Sequence, residues 1–173
     1  MDEASARFEQ LILPHLDAAH NLARWLTRNG HDAEDLVQEA YLRAFRFFGG
    51  FKGGDSRSWL LTIVRNTCYS WLQRNRRQEL ETPFDEEVHT SDLQALSPEK
   101  PLLADADGQM LQQALEELPV TFREILVLRE LEGLSYKEIA EIVNIPIGTV
   151  MSSLARARKR LRQNLLKAMK KES

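Results

Sequence analysis

The sequence predicts an all-α protein made of two small helical domains joined by a flexible acidic linker, and three observations carry that reading. Apolar residues recur at helical spacing in both halves of the chain, and no stretch alternates as a strand would. A segment holding Pro83, Pro98 and Pro101, scattered acids and no sustained periodicity separates the halves. The last third contains a capped short helix, a turn and a longer basic helix, which together read as a helix-turn-helix. The expected boundaries are 1–78 for the N-terminal domain, 79–108 for the linker and 109–173 for the C-terminal domain. With 173 residues, 43% of them hydrophobic, the chain can fill one core or two small ones.

In the first domain, Asp32 is expected to open a helix from Ala33 to about Phe48, with Leu36, Val37, Ala40, Ala44 and Phe48 on its buried arc. Asp35, Gln38, Glu39, Leu42 and Arg46 share the opposite arc, with Tyr41 and Phe45 at its edge. A leucine inside a polar face rimmed by aromatics suits a surface that a partner covers. It equally suits a solvated face with one stray leucine, and periodicity does not choose between them. The loop Phe51-Lys52-Gly53-Gly54-Asp55-Ser56-Arg57 follows, and its Gly-Gly pair gives backbone freedom for a close approach to a nucleotide. No G-K-[ST] follows it, so it is not a phosphate-cradling P-loop. The helix Ser58–Arg77 places Trp59, Leu60, Ile63, Val64, Thr67, Cys68, Trp71 and Leu72 on an apolar stripe, so both tryptophans are expected in the core. The opposite stripe carries Arg65, Asn66, Tyr69, Gln73 and Arg76. Cations interleaved with an aromatic and amides suit single-stranded nucleic acid, because charge tracks the backbone while rings offer stacking.

In the second domain a helix is expected near Leu102–Leu118, with Pro119 opening the next; Phe122–Leu131 follows and Gly133 ends it. Ser135 and Glu138 form an S-x-x-E capping box, Ile139, Ala140 and Val143 face the core, and Asn144 suits a left-handed turn. Pro146 marks the start of the last helix. There Val150, Leu154, Ala157 and Leu161 lie on one side. Thr149, Ser152, Ser153, Arg156, Lys159 and Arg160 lie on the other, with Ile147 and Gly148 at the helix start. Hydroxyls placed near base edges and cations near phosphates are what a helix needs to enter a major groove. The plainer alternative is a helical hairpin with a solvated basic face; cap, turn and charge asymmetry together favour the groove.

The formal net charge of −3 disguises a strong division along the chain. Five arginines and no acid lie between Ser56 and Gln78, nine acids and one lysine between Glu79 and Gly108, and eight cations against Glu172 alone after Pro146. An acidic connector repels phosphate, so it is of little use to a free-standing DNA binder. It is of use to a protein that works on DNA while docked to a larger basic partner.

Other classes find little support. Arg57 and Arg65 bracket the most apolar stretch, Ser58–Val64, so no membrane span is expected. The start Met1-Asp2-Glu3 lacks a basic leader, and a cytoplasmic location is the expectation. Cys68 is the single cysteine and is expected as a buried small hydrophobe rather than a reactive thiol. His15, His20, His31 and His89 show no ligand spacing, so neither cofactor nor metal is expected. No paired carboxylates or nucleophile–base set can be assembled, and an enzyme is not expected.

Three of these segments resemble one known family. Asp35-Leu36-Val37-Gln38-Glu39-Ala40-Tyr41-Leu42-Arg43-Ala44-Phe45 resembles the D-L-[VI]-Q-E helix of bacterial sigma factors. Trp59-Leu60-Leu61-Thr62-Ile63-Val64-Arg65-Asn66-Thr67 resembles their promoter-melting and −10-reading helix. Leu134–Leu161, above all Pro146-Ile147-Gly148-Thr149-Val150 and Arg156-Ala157-Arg158, resembles their −35-reading helix-turn-helix. The resemblance covers nearly the whole chain in the right order, and two such domains with little else are similar to the extracytoplasmic-function (ECF) subgroup.

The resemblance implies a factor that binds core RNA polymerase, directs it to promoter DNA and helps to melt it. It implies polymerase contacts from Asp35, Gln38, Glu39, Tyr41, Leu42 and Phe45. It implies −10 contacts from Lys52, Asp55, Ser56, Arg57, Arg65, Asn66, Tyr69 and Arg76. It implies −35 contacts from Ile147, Gly148, Thr149, Ser152, Ser153, Arg156, Lys159 and Arg160. The acidic segment would correspond to the part that threads through cationic channels of the polymerase; a solvated tether is the alternative. Many members are held by an anti-sigma factor, which makes such a protein a candidate partner. The family often carries Arg where this chain has Met151 and Ser153, so the −35 sequence is not implied. A helix-turn-helix regulator with an N-terminal sensory or dimerisation domain would explain residues 135–163 equally well, but not the Asp35–Phe45 face.

Overall fold

The computed structural model describes residues 2–81 and 105–172, and every regular element among them is helical. The chain divides into two compact units, Met1–Ser97 and Pro98–Ser173.

In the first unit Asp2 caps α1 (Glu3–Ile12), accepting the Ser5 N–H at 2.7 Å. A single 3₁₀ turn through Pro14 (Leu13–His15) leads into α2 (Leu16–Thr27). The turn out of α2 puts Arg28 in the left-handed region at φ 59°, a conformation most side chains avoid. Thr27 and Asn29 hold it there: the Thr27 hydroxyl donates to the Ala23 carbonyl at 2.8 Å and accepts from the Asn29 N–H at 3.3 Å. Asn29, in extended backbone, then caps α3 (Gly30–Arg46) by accepting from His31 and Asp32. The helix therefore begins three residues before the Ala33 start expected from sequence. Asn29 and Asp32 are equally good caps on paper, and only the left-handed Arg28 decides between them. Asp32 falls in the first turn, where a carboxylate still favours the helix dipole.

After a 3₁₀ turn at Phe48–Gly50, α4 runs from Ser56 to Glu81. α2, α3 and α4 pack on one another, with α1 laid against α4. Ala19, Ala23, Ala40 and Ala44 are fully buried, and these small side chains let the helices approach closely while Leu22, Leu26, Leu60, Leu61 and Val64 fill the core. Truncating any of those leucines to alanine costs about 2–5 kcal/mol. Cys68 is buried in the same core. The tryptophans depart from expectation. Trp59 and Trp71 are only half-buried, because the buried arc of α4 runs through Leu60, Leu61, Val64, Thr67 and Cys68 and is thus rotated toward Leu61. Trp59 closes the edge of the core against Phe51 and Phe48, with ring centroids 5.1 and 6.2 Å away.

In the second unit Asp105 caps α5 (Ala106–Glu116), and α6 (Val120–Leu126) follows Pro119. The helix resumes at Val120, not Phe122, and its second half widens into a π-turn at Val127–Leu131, closed by Glu132 N–H to the Val127 carbonyl at 3.0 Å. Gly133, at φ 67°, supplies the left-handed exit. α7 (Tyr136–Val143) and α8 (Ile147–Glu172) complete the unit, with α5, α6 and α7 all packed on α8. Arg123 is buried yet satisfied: its guanidinium donates to the carbonyls of Leu118 at 2.7 Å and Glu116 at 3.2 Å, sealing the C-terminal end of α5. Asn164 Nδ2 donates to the Ala114 carbonyl at 3.0 Å, pinning the far half of α8 to α5. The acidic linker expected at 79–108 lies mostly outside the described residues; at its margins, residues 79–81 and 106–108 are helical.

Candidate polymerase and promoter interfaces

The outward face of α3 is the first candidate surface. Asp35, Gln38 and Leu42 are exposed, Leu42 at 66% and the neighbouring Phe45 at 53%. Such exposure for a leucine and a phenylalanine side by side is unusual on a solvated helix. The aromatics are anchored from behind: the Phe8 ring meets Tyr41 edge-on at 5.1 Å and Phe45 at 5.2 Å. Glu39 pairs with Arg43 at 2.8 Å, and Arg43 reaches the Thr67 hydroxyl of α4 at 3.4 Å, so this carboxylate is tied to its own unit. Phe47, also exposed, extends the apolar surface. It sits at the helix C-cap, outside any 3.6-residue periodicity, and so had no sequence signal.

The second surface is the loop 51–57 with the outer face of α4. Gly53 and Gly54 sit at φ 93° and 96°, conformations that other residues rarely adopt, while the space beside each is open. The pair is thus required by backbone geometry and leaves the loop tip uncovered. Asp55 folds back to cap α4, accepting the N–H groups of Arg57 at 3.0 Å and Ser58 at 3.2 Å, and the Ser58 hydroxyl at 2.6 Å. Ser56 Oγ lies 3.2 Å from His15 Nε2. Burial first, and then the Arg57 charge, hold the His15 imidazole below its ordinary range against the pull of Asp55. Asp55 and Ser56 therefore build the loop, whereas Lys52 stands exposed at its tip. Phe51 is buried, its ring stacked 5.8 Å from Phe48. Farther along α4, the Arg65 guanidinium lies over the Tyr69 ring at 4.2 Å, and Asn66 and Arg76 are exposed.

The third surface is the helix-turn-helix. Both halves of the capping box form: Glu138 N–H to Ser135 Oγ at 3.1 Å and Ser135 N–H to Glu138 Oε1 at 2.9 Å. Asn144 makes the turn at φ 59°, ψ 50°. On α8, Val150, Leu154 and Ala157 are buried; Ile147, Gly148, Thr149, Ser152, Arg156, Lys159 and Arg160 are exposed and Ser153 is half-buried. Ser152 donates its hydroxyl proton to the Thr149 carbonyl at 3.1 Å, which leaves its lone pairs outward. Arg158 is occupied by Glu130 through Nε at 3.0 Å and Nη2 at 2.7 Å. Met151 and Ala155, absent from the expected set, are exposed on the same helix.

No group of three or more His, Cys, Asp or Glu side chains among the described residues could hold a metal ion, and no helix there is long and apolar enough to cross a membrane.

The two units match two family models in the same order: "Sigma-70 region 2" over residues 11–78 and "Sigma-70, region 4" over residues 108–161. The chain is 35% identical over 164 residues to the ECF RNA polymerase sigma factor SigE of Mycolicibacterium smegmatis, covering 95% of this chain and 63% of that protein. It is 33% identical over 162 residues to the RNA polymerase sigma-H factor of Pseudomonas aeruginosa, covering 87% of this chain and 82% of the other. Among solved structures it is similar to the sigma factor RpoE from Bartonella quintana, crystallised with the anti-sigma factor NepR. That match has a TM-score of 0.77 and 33% identity, over 93% of this chain and 97% of the other. Region-2 and region-4 matches in this order, with relatives of this identity, place the chain in the family of ECF RNA polymerase sigma factors.

Proposed function

We propose that this chain binds core RNA polymerase, directs it to promoters through −35 and −10 elements, and promotes melting of the DNA in the cytoplasm, without enzymatic chemistry of its own. The observation that carries the reading is the pairing of two surfaces in one chain: exposed Leu42, Phe45 and Phe47 at the C-terminal end of α3 and a cationic helix-turn-helix on α8. A lone DNA-binding regulator needs the second and has no use for the first.

In this reading Asp35, Gln38 and Leu42 meet the polymerase, with Tyr41 and Phe45 held ready by Phe8 and Glu39 held by Arg43. Lys52, Arg57, Arg65, Asn66, Tyr69 and Arg76 hold the melted −10 strand, while Asp55 and Ser56 act by shaping the loop. Ile147, Gly148 and Thr149 approach the −35 groove floor. Ser152, with its proton given to Thr149, offers an acceptor that suits adenine N6 or cytosine N4 amino groups. Arg156 is the candidate for a bidentate guanine contact, Lys159 and Arg160 serve phosphates, and Ser153 supports from the buried edge of the helix. The acidic segment 79–108 would occupy cationic channels of the polymerase.

The Bartonella relative was crystallised with an anti-sigma factor, and a protein inhibitor of that kind is the partner we infer here. Mapping transcript 5′ ends after overexpression tests the function directly. New starts sharing paired −35 and −10 motifs are expected; starts unchanged apart from repression of existing promoters would point to an ordinary regulator.

A further inference from the structure

On α8 the side chains at Ile147, Met151 and Ala155 follow one another at four-residue spacing and form one exposed stripe, with Ile147 45% and Met151 52% accessible. Each step advances about 6 Å along the helix, so for a helix lying along the groove it spans about two base-pair rises of roughly 3.4 Å. Arg158, three residues beyond Ala155, is bound by Glu130 and cannot reach outward without breaking that pair, while the next position at the same spacing is the exposed Lys159. The stripe is therefore apolar from Ile147 to Ala155 and ends at a cation suited to phosphate. The other cations of this helix, Arg156, Lys159, Arg160, Arg162, Lys167, Lys170 and Lys171, are exposed and give the rest of the outward surface a charge complementary to DNA.

Gly148 adds an independent sign of what lies against the stripe. It is helical and exposed, has no positive φ, and nothing lies within 4 Å of where a Cβ would sit. The fold gives no reason for glycine there, and alanine would make a better helix. A close approach from outside gives one.

We propose that Met151, flanked by Ile147 and Ala155, reads the C5-methyl group of a thymine in the −35 element, and that Gly148 allows the approach. The inference rests on the assignment of α8 as the −35 reader. Thymine is the one base whose major-groove edge presents a methyl group, and apolar side chains are its natural contact. Burying one such methyl against Met151 corresponds to about a fourfold change in affinity, from roughly 0.8 kcal/mol per buried CH₂.

The test uses complete holoenzyme and a promoter found by 5′-end mapping, with each −35 thymine on either strand replaced in turn by deoxyuridine, which removes only the methyl. Wild-type holoenzyme should lose about fourfold at one such position. Met151→Gln should bind the unmodified promoter correspondingly less well and be indifferent to deoxyuridine there, whereas Met151→Leu should retain the discrimination. Gly148→Ala should raise Tm while weakening −35-dependent binding. Deoxyuridine neutral at every position, or Met151→Gln as sensitive to it as wild type, would overturn the proposal. So would a loss of core polymerase binding by Met151→Gln without DNA, which would make the stripe a protein contact. If scrambling the whole −35 element left holoenzyme binding unchanged, the assignment of α8 itself would fall, and the methyl contact with it.

Discussion

The two units carry their functional groups in opposite ways. In the first, about half of the residues assigned to DNA or polymerase are engaged with their own neighbours, while Asp35, Gln38, Leu42, Lys52, Asn66 and Arg76 stand exposed. Asp55 caps α4, Ser56 meets His15, Arg65 covers Tyr69 and Glu39 holds Arg43. In the second, Thr149, Arg156, Lys159 and Arg160 are exposed along one helix whose opposite side is core. The first surface is pre-organised, so shape and chemistry are coupled and the cost of ordering on binding is low. The second is a row of separable contacts on a rigid element, which suits readout of successive bases. Changes in the first unit should therefore act on several steps at once, and changes in the second on one position at a time.

The largest effect is expected on α3. Leu42→Glu places a charge in the centre of the apolar patch and should weaken core polymerase binding by about 2–4 kcal/mol, the range of interface hot spots. Because Leu42 is exposed, helicity and Tm should stay near wild type; a pull-down with unchanged polymerase would remove the α3 patch from the account. Next, Tyr69→Ala should lose about 1–3 kcal/mol of base stacking and also release Arg65 from the ring it covers. Permanganate reactivity of −10 thymines should fall more than closed-complex formation does, and equal reactivity would exclude Tyr69 from melting.

In the second unit the effects should separate. Arg156→Ala should cost about 1–3 kcal/mol at one −35 position only. Lys159→Ala should weaken all sequences alike and reduce the salt slope by about one unit. A −35 library transcribed with each variant decides; if Arg156→Ala lowered every promoter by one factor, Arg156 would be a phosphate anchor.

The smallest effect is a pH dependence confined to the first unit. His15 in the folded protein titrates below its ordinary value because of burial and Arg57. The unfolded chain therefore takes up a proton first as pH falls. The stability of this unit should be full above the unfolded histidine pKa, about 6.5, and decline below it. All three tryptophans, Trp25, Trp59 and Trp71, lie in this unit, so denaturation followed by their fluorescence reports it alone. His15→Gln should flatten the decline, and an unaltered slope would remove His15 as its source.

What the sequence made legible follows the same division. The capping box, the Asn144 turn and the buried Val150–Leu154–Ala157 line are local patterns, and the structure places each where the pattern does. The all-helical character and the buried arc of α3 were legible for the same reason. Contacts between distant residues were not. His15 with Ser56, Glu130 with Arg158 and Asn164 with the Ala114 carbonyl join positions far apart in the chain. Nor could periodicity rotate the α4 stripe onto Leu61, since Trp59 and Ile63 satisfy the same spacing and only packing against α2 and α3 separates them. The π-turn at Val127–Leu131 has no signature in its residues.

If the chain works as proposed, the promoter is read only when both units are held by the polymerase. Fluorescence anisotropy of a labelled promoter duplex, titrated with the chain alone, with core polymerase alone and with both, tests it most directly. Sequence-specific binding only with both components is the predicted result. Specific binding by the chain alone, unchanged when core polymerase is added, would contradict it.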